Sequence, residues 1–430
     1  MTFQIVRAIY SLLFIFGLPV ILLRLIMKSV KLPAYRSRWR ERFGCPSLSL
    51  TSSIWVHAVS VGEAISAVPF VRQIQKQFPA LPIVVTTMTP TGSDRVKAAF
   101  SKELNQTIFH SYVPYDIPFA LQAFIKRVNP MALILMETEI WPNLITVCHD
   151  YHIPMMIANA RLSPKSLKQY KMGRAIVKPL MEKITYVGAQ SAMDSERFIE
   201  IGTPTETVQT VGNIKFDMSW PPEVIQKGKA LRHQLGTHRQ IWIAASTHEG
   251  EEAIVLQAYH QLKSQFSDLL LLLVPRHPER FQKVAQLCET ANLKIVKHTE
   301  NIPCSNETDV FLGDTMGEMG TFYAASNVVF VGGSFAPIGG HNLLEPAALS
   351  LPILTGPHLH NFVYISEVLL AAGGATLVQN QDELVECIAN LLRDPKWAHV
   401  QGQRAQTVVE ENKGALERLM KLVCKLLATH

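Results

Sequence analysis

Cysteine is scarce and dispersed in this 430-residue sequence: Cys45, Cys148, Cys288, Cys304, Cys387 and Cys424 contain no C-x-x-C pair. That pattern argues against a disulfide framework or a thiolate zinc site and fits a reducing compartment, with each thiol a small buried hydrophobe. There is no low-complexity tract and no repeat at a period of about 20 to 50 residues. The dinucleotide fingerprint, the P-loop, H-E-x-x-H, the EF-hand loop and the G-x-S-x-G elbow are all missing. The fifteen histidines show no metal-ligand spacing, so no metal is expected. Charged residues make up only 18% against 48% hydrophobic, which excludes a disordered chain. At this length a single core is exceeded and two domains are expected.

What charge there is has a place. Between Arg24 and Arg42 stand seven basic residues (Arg24, Lys28, Lys31, Arg36, Arg38, Arg40, Arg42) and one acid, Glu41, so this segment carries the whole net charge of +6. A nucleic-acid binder would spread its basic residues over a recognition domain. Here they follow the uncharged run AIYSLLFIFGLPVILL, which points to an anionic membrane surface and not to nucleic acid. The run begins at Ala8, ends at Leu23 and continues apolar past Arg24. As a helix its uncharged part reaches ~24 Å, short of the ~30 Å hydrocarbon core, so spanning and lying in the interface both stay open. The basic residues after the run place the following domains on the cytoplasmic side. A buried core helix is the alternative.

From residue 54 onward, apolar strands alternate with helices. Strands are expected at 54–59, 81–87, 132–136, 153–158, 184–189, 241–245, 269–274, 328–331 and 352–355, with helices at 63–78 and 93–100. Near-continuous apolar strands separated by helices predict α/β domains with parallel sheets covered on both faces. The rhythm restarts after Pro221-Pro222, which predicts two Rossmann-like doubly wound domains in tandem. The divisions are 1–28 as a membrane helix, 29–217 and 218–405 as the two domains, and 406–430 as a terminal helix. That helix, running from about 403 to 427, is expected to fold back across the junction.

Ligands of open parallel sheets bind beyond the strand carboxyl ends, so polar residues there are the candidates. Glu63, in His57-Ala-Val-Ser-Val-Gly-Glu63, begins a helix after a strand; it is a candidate general base or an ordinary helix-start acid. Glu137 and Glu139 follow the strand that ends at Met136 and invite a cationic partner, for catalysis or as a plain salt bridge. Lys215, in GNIKFD, is a candidate phosphate or carboxylate partner or a surface lysine. The densest group combines Pro275-Arg276-His277-Pro278, Met316-Gly317-Glu318, Gly332-Gly333-Ser334 and Gly339-Gly340-His341-Asn342-Leu343-Leu344-Glu345. Its paired glycines allow close backbone approach to a ligand, and the helix start after them offers free N–H groups to phosphate. His248 reads as a helix-start residue or a ligand contact.

Read together, AYRSRWRERFG, HAVSVGE, TTMTPTG, PYDIP, METEIWPN, NARLS, GNIKFD, STHEGEE, VPRHPERF, GDTMGEM and GGHNLLEPA resemble the 3-deoxy-D-manno-octulosonic acid (Kdo) transferases of lipopolysaccharide synthesis. The resemblance implies a GT-B fold, two Rossmann-like domains facing a cleft, at the bacterial inner membrane. It implies inverting, metal-independent transfer of Kdo from CMP-Kdo to a lipid A precursor (lipid IVA), with release of CMP and no cofactor. By the same resemblance Glu63 is the general base, and Glu137 and Lys215 stabilise the transition state. CMP contacts fall on Pro275, Arg276, Met316, Gly317, Glu318, Asn342, Leu343, Leu344 and Glu345. The competing readings are another nucleotide-sugar enzyme of the same fold, such as an epimerase, and a non-catalytic membrane scaffold.

Overall fold

A computed structural model describes residues 3–428, except the side chain of Lys31. Residues 1, 2, 429 and 430, the outer ends of the segments assigned to the membrane helix and the terminal helix, lie outside the described residues. The chain forms two compact units, residues 1–217 with 413–430, and residues 218–412.

In the first unit, seven parallel strands are ordered β3-β2-β1-β4-β5-β6-β7. They are β1 (Ser53–His57), β2 (Ile83–Thr87), β3 (Ile108–Tyr112), β4 (Pro130–Met136), β5 (Met155–Ala160), β6 (Tyr186–Ala189) and β7 (Val208–Thr210). Alternation along each strand divides the core: Ile54, Val56, Ile83, Val85 and Ile134 enter one cluster, while Trp55, Val84, Leu133 and Leu135 enter another on the opposite face. That is why these strands read as unbroken apolar runs. The order reverses between β1 and β4, creating a topological switch point at their carboxyl ends.

In the second unit the order is β10-β11-β9-β8-β12-β13-β14, again all parallel. The strands are β8 (Ile241–Thr247), β9 (Leu270–Pro275), β10 (Ile295–Lys297), β11 (Val310–Leu312), β12 (Val328–Val331), β13 (Ile353–Thr355) and β14 (Ala375–Leu377). Its switch point lies between β8 and β12. Tandem Rossmann-like domains of this kind define the GT-B class.

Three expectations change. The uncharged run is part of a helix of 29 residues, Phe3–Lys31, about 43 Å long and apolar enough to cross a membrane by length and composition. The single terminal helix expected over 403–427 is two, Pro395–Asn412 and Ala415–Ala428. The break falls at Gly414, whose φ of +90° lies in a region that L side chains rarely adopt. The second helix belongs to the first unit, with Leu419, Leu422, Val423 and Leu426 in the core beside Ala64, Phe70 and Ile74. Finally, the basic segment is not all surface. Arg42 is 3% exposed, stacks on the Tyr112 ring at 4.1 Å and donates to the Met88 carbonyl. Arg38 is held by Glu41 (2.7 Å), Ser93 and the His110 carbonyl. Both are spent inside the fold because Tyr112 and Glu41 need cationic partners there.

Candidate active site

The first switch point gathers the sequence candidates Glu63, Glu137 and Lys215. Glu63 is third in the helix Val61–Gln77, whose cap is Ser60. Its backbone N–H donates to Ser60 Oγ, while its carboxylate accepts from the N–H of Val59 (2.8 Å) and of Ser60 (3.3 Å), a complete capping box. The side chain is thus folded back on its own helix start and largely buried, so the helix-start role left open by the sequence is real. It does not consume the carboxylate: two oxygens accept only two N–H groups, one of them at long range, and lone pairs remain.

Glu137 follows β4 with φ of +58°, a left-handed conformation unusual for a non-glycine residue. Its N–H still pairs with the Ala158 carbonyl at 3.0 Å, so the sheet holds the turn. Burial and the neighbouring Glu63 charge push the Glu137 carboxyl up, opposed by Lys215 and Arg161. Glu139 joins them. Burial, then Glu63 and Glu137, push it to about 7, against the hydrogen bond that Trp141 Nε1 donates to it at 2.7 Å. Lys215 is lowered by burial, with Glu137 holding its proton on. Three carboxyl groups and two cations therefore meet within one field.

Lys215 is placed by a network that its own motif does not reveal. Asn159, at the end of β5, accepts from the Ile214 N–H at 3.1 Å. Gln190 donates to the Asn159 carbonyl at 2.9 Å, and Asn213 donates to Gln190 at 3.0 Å. The block NARLS thus contributes Asn159 as a support and Arg161 as a second cation. His57 stands at the end of β1. It is fully buried against Thr86, and burial lowers it to about 4.

The second switch point carries a constellation whose members are up to 93 residues apart. Glu251 is 1% exposed and starts the helix Glu251–Lys263. Its carboxylate accepts five backbone N–H groups: His248 (2.9 Å), Gly333 (2.7 Å), Ser334 (3.0 Å), Phe335 (2.9 Å) and Ala336 (3.2 Å). The glycine turn is therefore wrapped around a protein carboxylate. At Gly333, with φ +67°, an added Cβ would stand 2.9 Å from the His341 ring, which explains glycine there. His341 and His248 are coplanar within 7° and joined Nε2 to Nε2 at 2.8 Å, while His277 stands edge-on to His248. One ring donates and the other accepts. Burial, Arg276 and the neighbouring imidazoles hold His341 down at about 4, and burial likewise lowers His248.

Of the residues assigned to CMP, Pro275 ends β9 and Arg276 follows it, its N–H donating to the Thr247 carbonyl at 3.0 Å. Arg276 also acts electrostatically on Glu345 and His341. Met316 and Gly317 lie exposed in a bend, and Glu318 accepts from Thr315 Oγ1 and stands 3.2 Å from His298 Nε2. Asn342 donates to Glu345 at 3.3 Å, and burial raises the Glu345 carboxyl. Leu343 and Leu344 are fully buried, their side chains belonging to the core of the unit. The helix expected to present N–H groups after Gly340 is one turn, Leu344–Ala347, too short for a macrodipole to matter. Positive potential in this unit comes from side chains instead.

Tandem Rossmann-like domains of the GT-B class thus carry a carboxylate–cation group at one switch point and a glycine turn at the other. Residues 37–218 match the family model described as 3-deoxy-D-manno-octulosonic-acid transferase (kdotransferase). The chain is 41% identical over 424 residues to the 3-deoxy-D-manno-octulosonic acid transferase of Haemophilus influenzae, covering 97% of this chain and 98% of that one. It is 33% identical to the Bordetella pertussis enzyme of the same name, covering 86% of each. The chain belongs to the 3-deoxy-D-manno-octulosonic acid transferase family. Among solved structures, UDP-GlcNAc 2-epimerase from Neisseria meningitidis aligns over 87% of this chain and all of its own with a TM-score of 0.57, at 13% identity, a likeness of fold alone.

Proposed function

We propose that this glycosyltransferase moves Kdo from CMP-Kdo to a lipid A precursor, lipid IVA, with inversion and without a metal, in lipopolysaccharide core synthesis. The acceptor hydroxyl oxygen attacks the anomeric carbon of Kdo as the bond to the CMP phosphate breaks. The hydroxyl proton passes to Glu63, and CMP leaves as the phosphate anion. Glu137 and Lys215 bear on the charge that develops at the sugar, with Arg161 beside them. Arg276 and the imidazoles of His248, His277 and His341 supply cationic or hydrogen-bonding partners to the cytidylate without a metal. Pro275, Met316, Gly317, Glu318 and Asn342 through Glu345 complete its pocket.

The observation that carries this reading is the grouping of Glu63, Glu137 and Glu139 with Lys215 and Arg161, inside a chain of this family. Like-charged carboxyl groups crowded together by burial and offset by Lys215 and Arg161 suit one of them to accept the proton of an alcohol. The apolar N-terminal helix would hold the enzyme at the cytoplasmic face of the inner membrane, where the lipid acceptor resides.

Incubating the purified chain with CMP-Kdo and lipid IVA tests the proposal. Release of CMP together with a lipid product heavier by one or more Kdo units is the expected result. CMP release without lipid modification, or no reaction with this pair, would reject it. An epimerase-like activity on nucleotide sugars would favour the competing reading.

A further inference from the structure

The N-terminal helix carries two apolar stripes on opposite sides. On the inner side Phe14, Leu18, Ile21 and Leu25 lie against Tyr115, Ile117 and Ala120. The same side continues toward the N-terminus through polar contacts. Ser11 and Asn143 exchange hydrogen bonds at 3.0 and 3.1 Å, Arg7 approaches Asp150 at 3.9 Å, and Phe3 packs on the lower core. Positions 3, 7, 11, 14, 18, 21 and 25 recur every three or four residues, so the docked face runs about 33 Å without a break. On the outer side Ile9, Leu12, Phe16, Val20, Leu23 and Met27 are between 44% and 78% exposed. Arg24, Lys28, Arg36 and Arg40 are exposed at the end of that stripe, while Arg38 and Arg42 are not.

We propose that this helix lies in the plane of an anionic bilayer's interface, docked to its own domain along its length, and does not cross the membrane. The proposal rests on the membrane attachment put forward above and specifies its geometry. The docked stretch is as long as the ~30 Å hydrocarbon core. An upright helix would therefore carry Asp116, Asn143 and Asp150 into hydrocarbon, which is costly for polar and charged groups. Freeing the helix would instead strip Tyr115, Ile117 and Ala120 of their cover. Lying flat keeps the inner contacts and buries the outer stripe among acyl chains, with the four arginine and lysine side chains at the head groups. A second copy of the chain is the poorer occupant, because it would bring another set of the same positive charges to the same patch.

The test uses the full chain with an N-terminal protease-cleavable tag, in sealed membrane vesicles from expressing cells whose catalytic domains face outward. An impermeant protease should remove the tag as readily as it attacks the domains. In flotation with vesicles of phosphatidylethanolamine and phosphatidylglycerol, Leu12→Asp with Phe16→Asp should lower bound protein at least about tenfold. Arg24→Glu with Lys28→Glu should do likewise, since each basic residue near an anionic surface contributes about one kcal/mol. Both pairs should retain turnover on detergent-dispersed acceptor. A membrane-bound chain with a protected tag would overturn the in-plane geometry while leaving attachment standing. Wild-type chain that fails to float would reject attachment itself. Unchanged flotation of Leu12→Asp with Phe16→Asp, joined to loss of a concentration-dependent dimer, would assign the outer stripe to a second copy.

Discussion

Glu63 answers to two demands, and they can be separated experimentally. As the N3 acid of a capping box it stabilises its helix; as a base it must accept a proton. Glu63→Gln keeps the shape but places an NH2 where an acceptor stood, so it should cost ~0.5–2 kcal/mol of stability as caps do. As a base it should cost about 10²–10⁴-fold in turnover with CMP-Kdo binding unchanged. Ser60→Ala removes the other half of the box and should show the stability loss alone. If both variants lose the same activity, Glu63 is a cap and not the base; steady-state kinetics beside thermal melts decides this. Glu139 makes a second test. Its carboxyl, near 4.5 when unfolded, is raised to about 7 in the fold. The folded state therefore binds the extra proton between those values, and its stabilising contribution is lost as pH rises through 7. Glu139→Gln should flatten the fall in melting temperature between about pH 4.5 and 7. A slope identical to wild type would show that Glu139 does not titrate there. The motif acids were legible in the sequence because each follows a strand end, Glu137 and Glu139 at once and Glu63 at the start of the next helix. That burial and the Glu63 charge bear on Glu137 and Glu139 alike was not. Strict alternation sends residues i and i+2 the same way only in a continuing strand, and the left-handed turn at Glu137 ends the strand.

Among elements, what could be read depended on length and on which polar groups had partners. The long apolar strands β1, β4, β8 and β9 announce themselves. β7, β10, β11 and β14 have three residues each, too few to show a period, whereas β13, equally short, stands out as the apolar run after Pro352. β3 was hidden differently. His110 and Ser111 look polar, yet they are buried and bonded to Thr87 and Glu41. The Glu251 staple is invisible for a related reason, since its five donors come from residues as much as 85 positions away. It makes a firm prediction. Glu251→Gln turns one acceptor into a donor that faces backbone N–H groups, at ~1–3 kcal/mol for each left unpaired. The turn 332–336 should loosen, and the KM for CMP-Kdo should rise about tenfold or more with a smaller change in kcat, since the staple touches no reacting atom. An unchanged KM would mean that the glycine turn does not bind the donor.

At the scale of the molecule, the sequence marks the passage out of the first unit, through Pro221-Pro222, and the return of the last helix, but not the break that makes the return. The return is made by Gly414 and sealed by Asp217, whose carboxylate accepts the N–H groups of Gly414 at 2.5 Å and Leu416 at 2.6 Å. Residues nearly 200 positions apart thus fasten the end of the first unit to its last helix. That helix is a structural member of the core it joins, with Leu419, Leu422, Val423 and Leu426 all fully buried. Burying four such side chains contributes about 1.5–3 kcal/mol each, comparable with the whole stability of a domain. Residues 1–217 expressed alone should consequently fail to unfold cooperatively, even with the N-terminal helix retained in detergent. Joining 413–430 to residue 217 through a short flexible linker should restore a cooperative transition by circular dichroism. Asp217→Ala in that joined chain should lower its midpoint again, because two helix-start N–H groups lose their acceptor. Residues 218–412 need no such help, having a sheet and core of their own, and should melt cooperatively as a separate piece. If 1–217 alone melts as sharply as the joined chain, the terminal helix is an accessory, and the first unit is a complete domain without it.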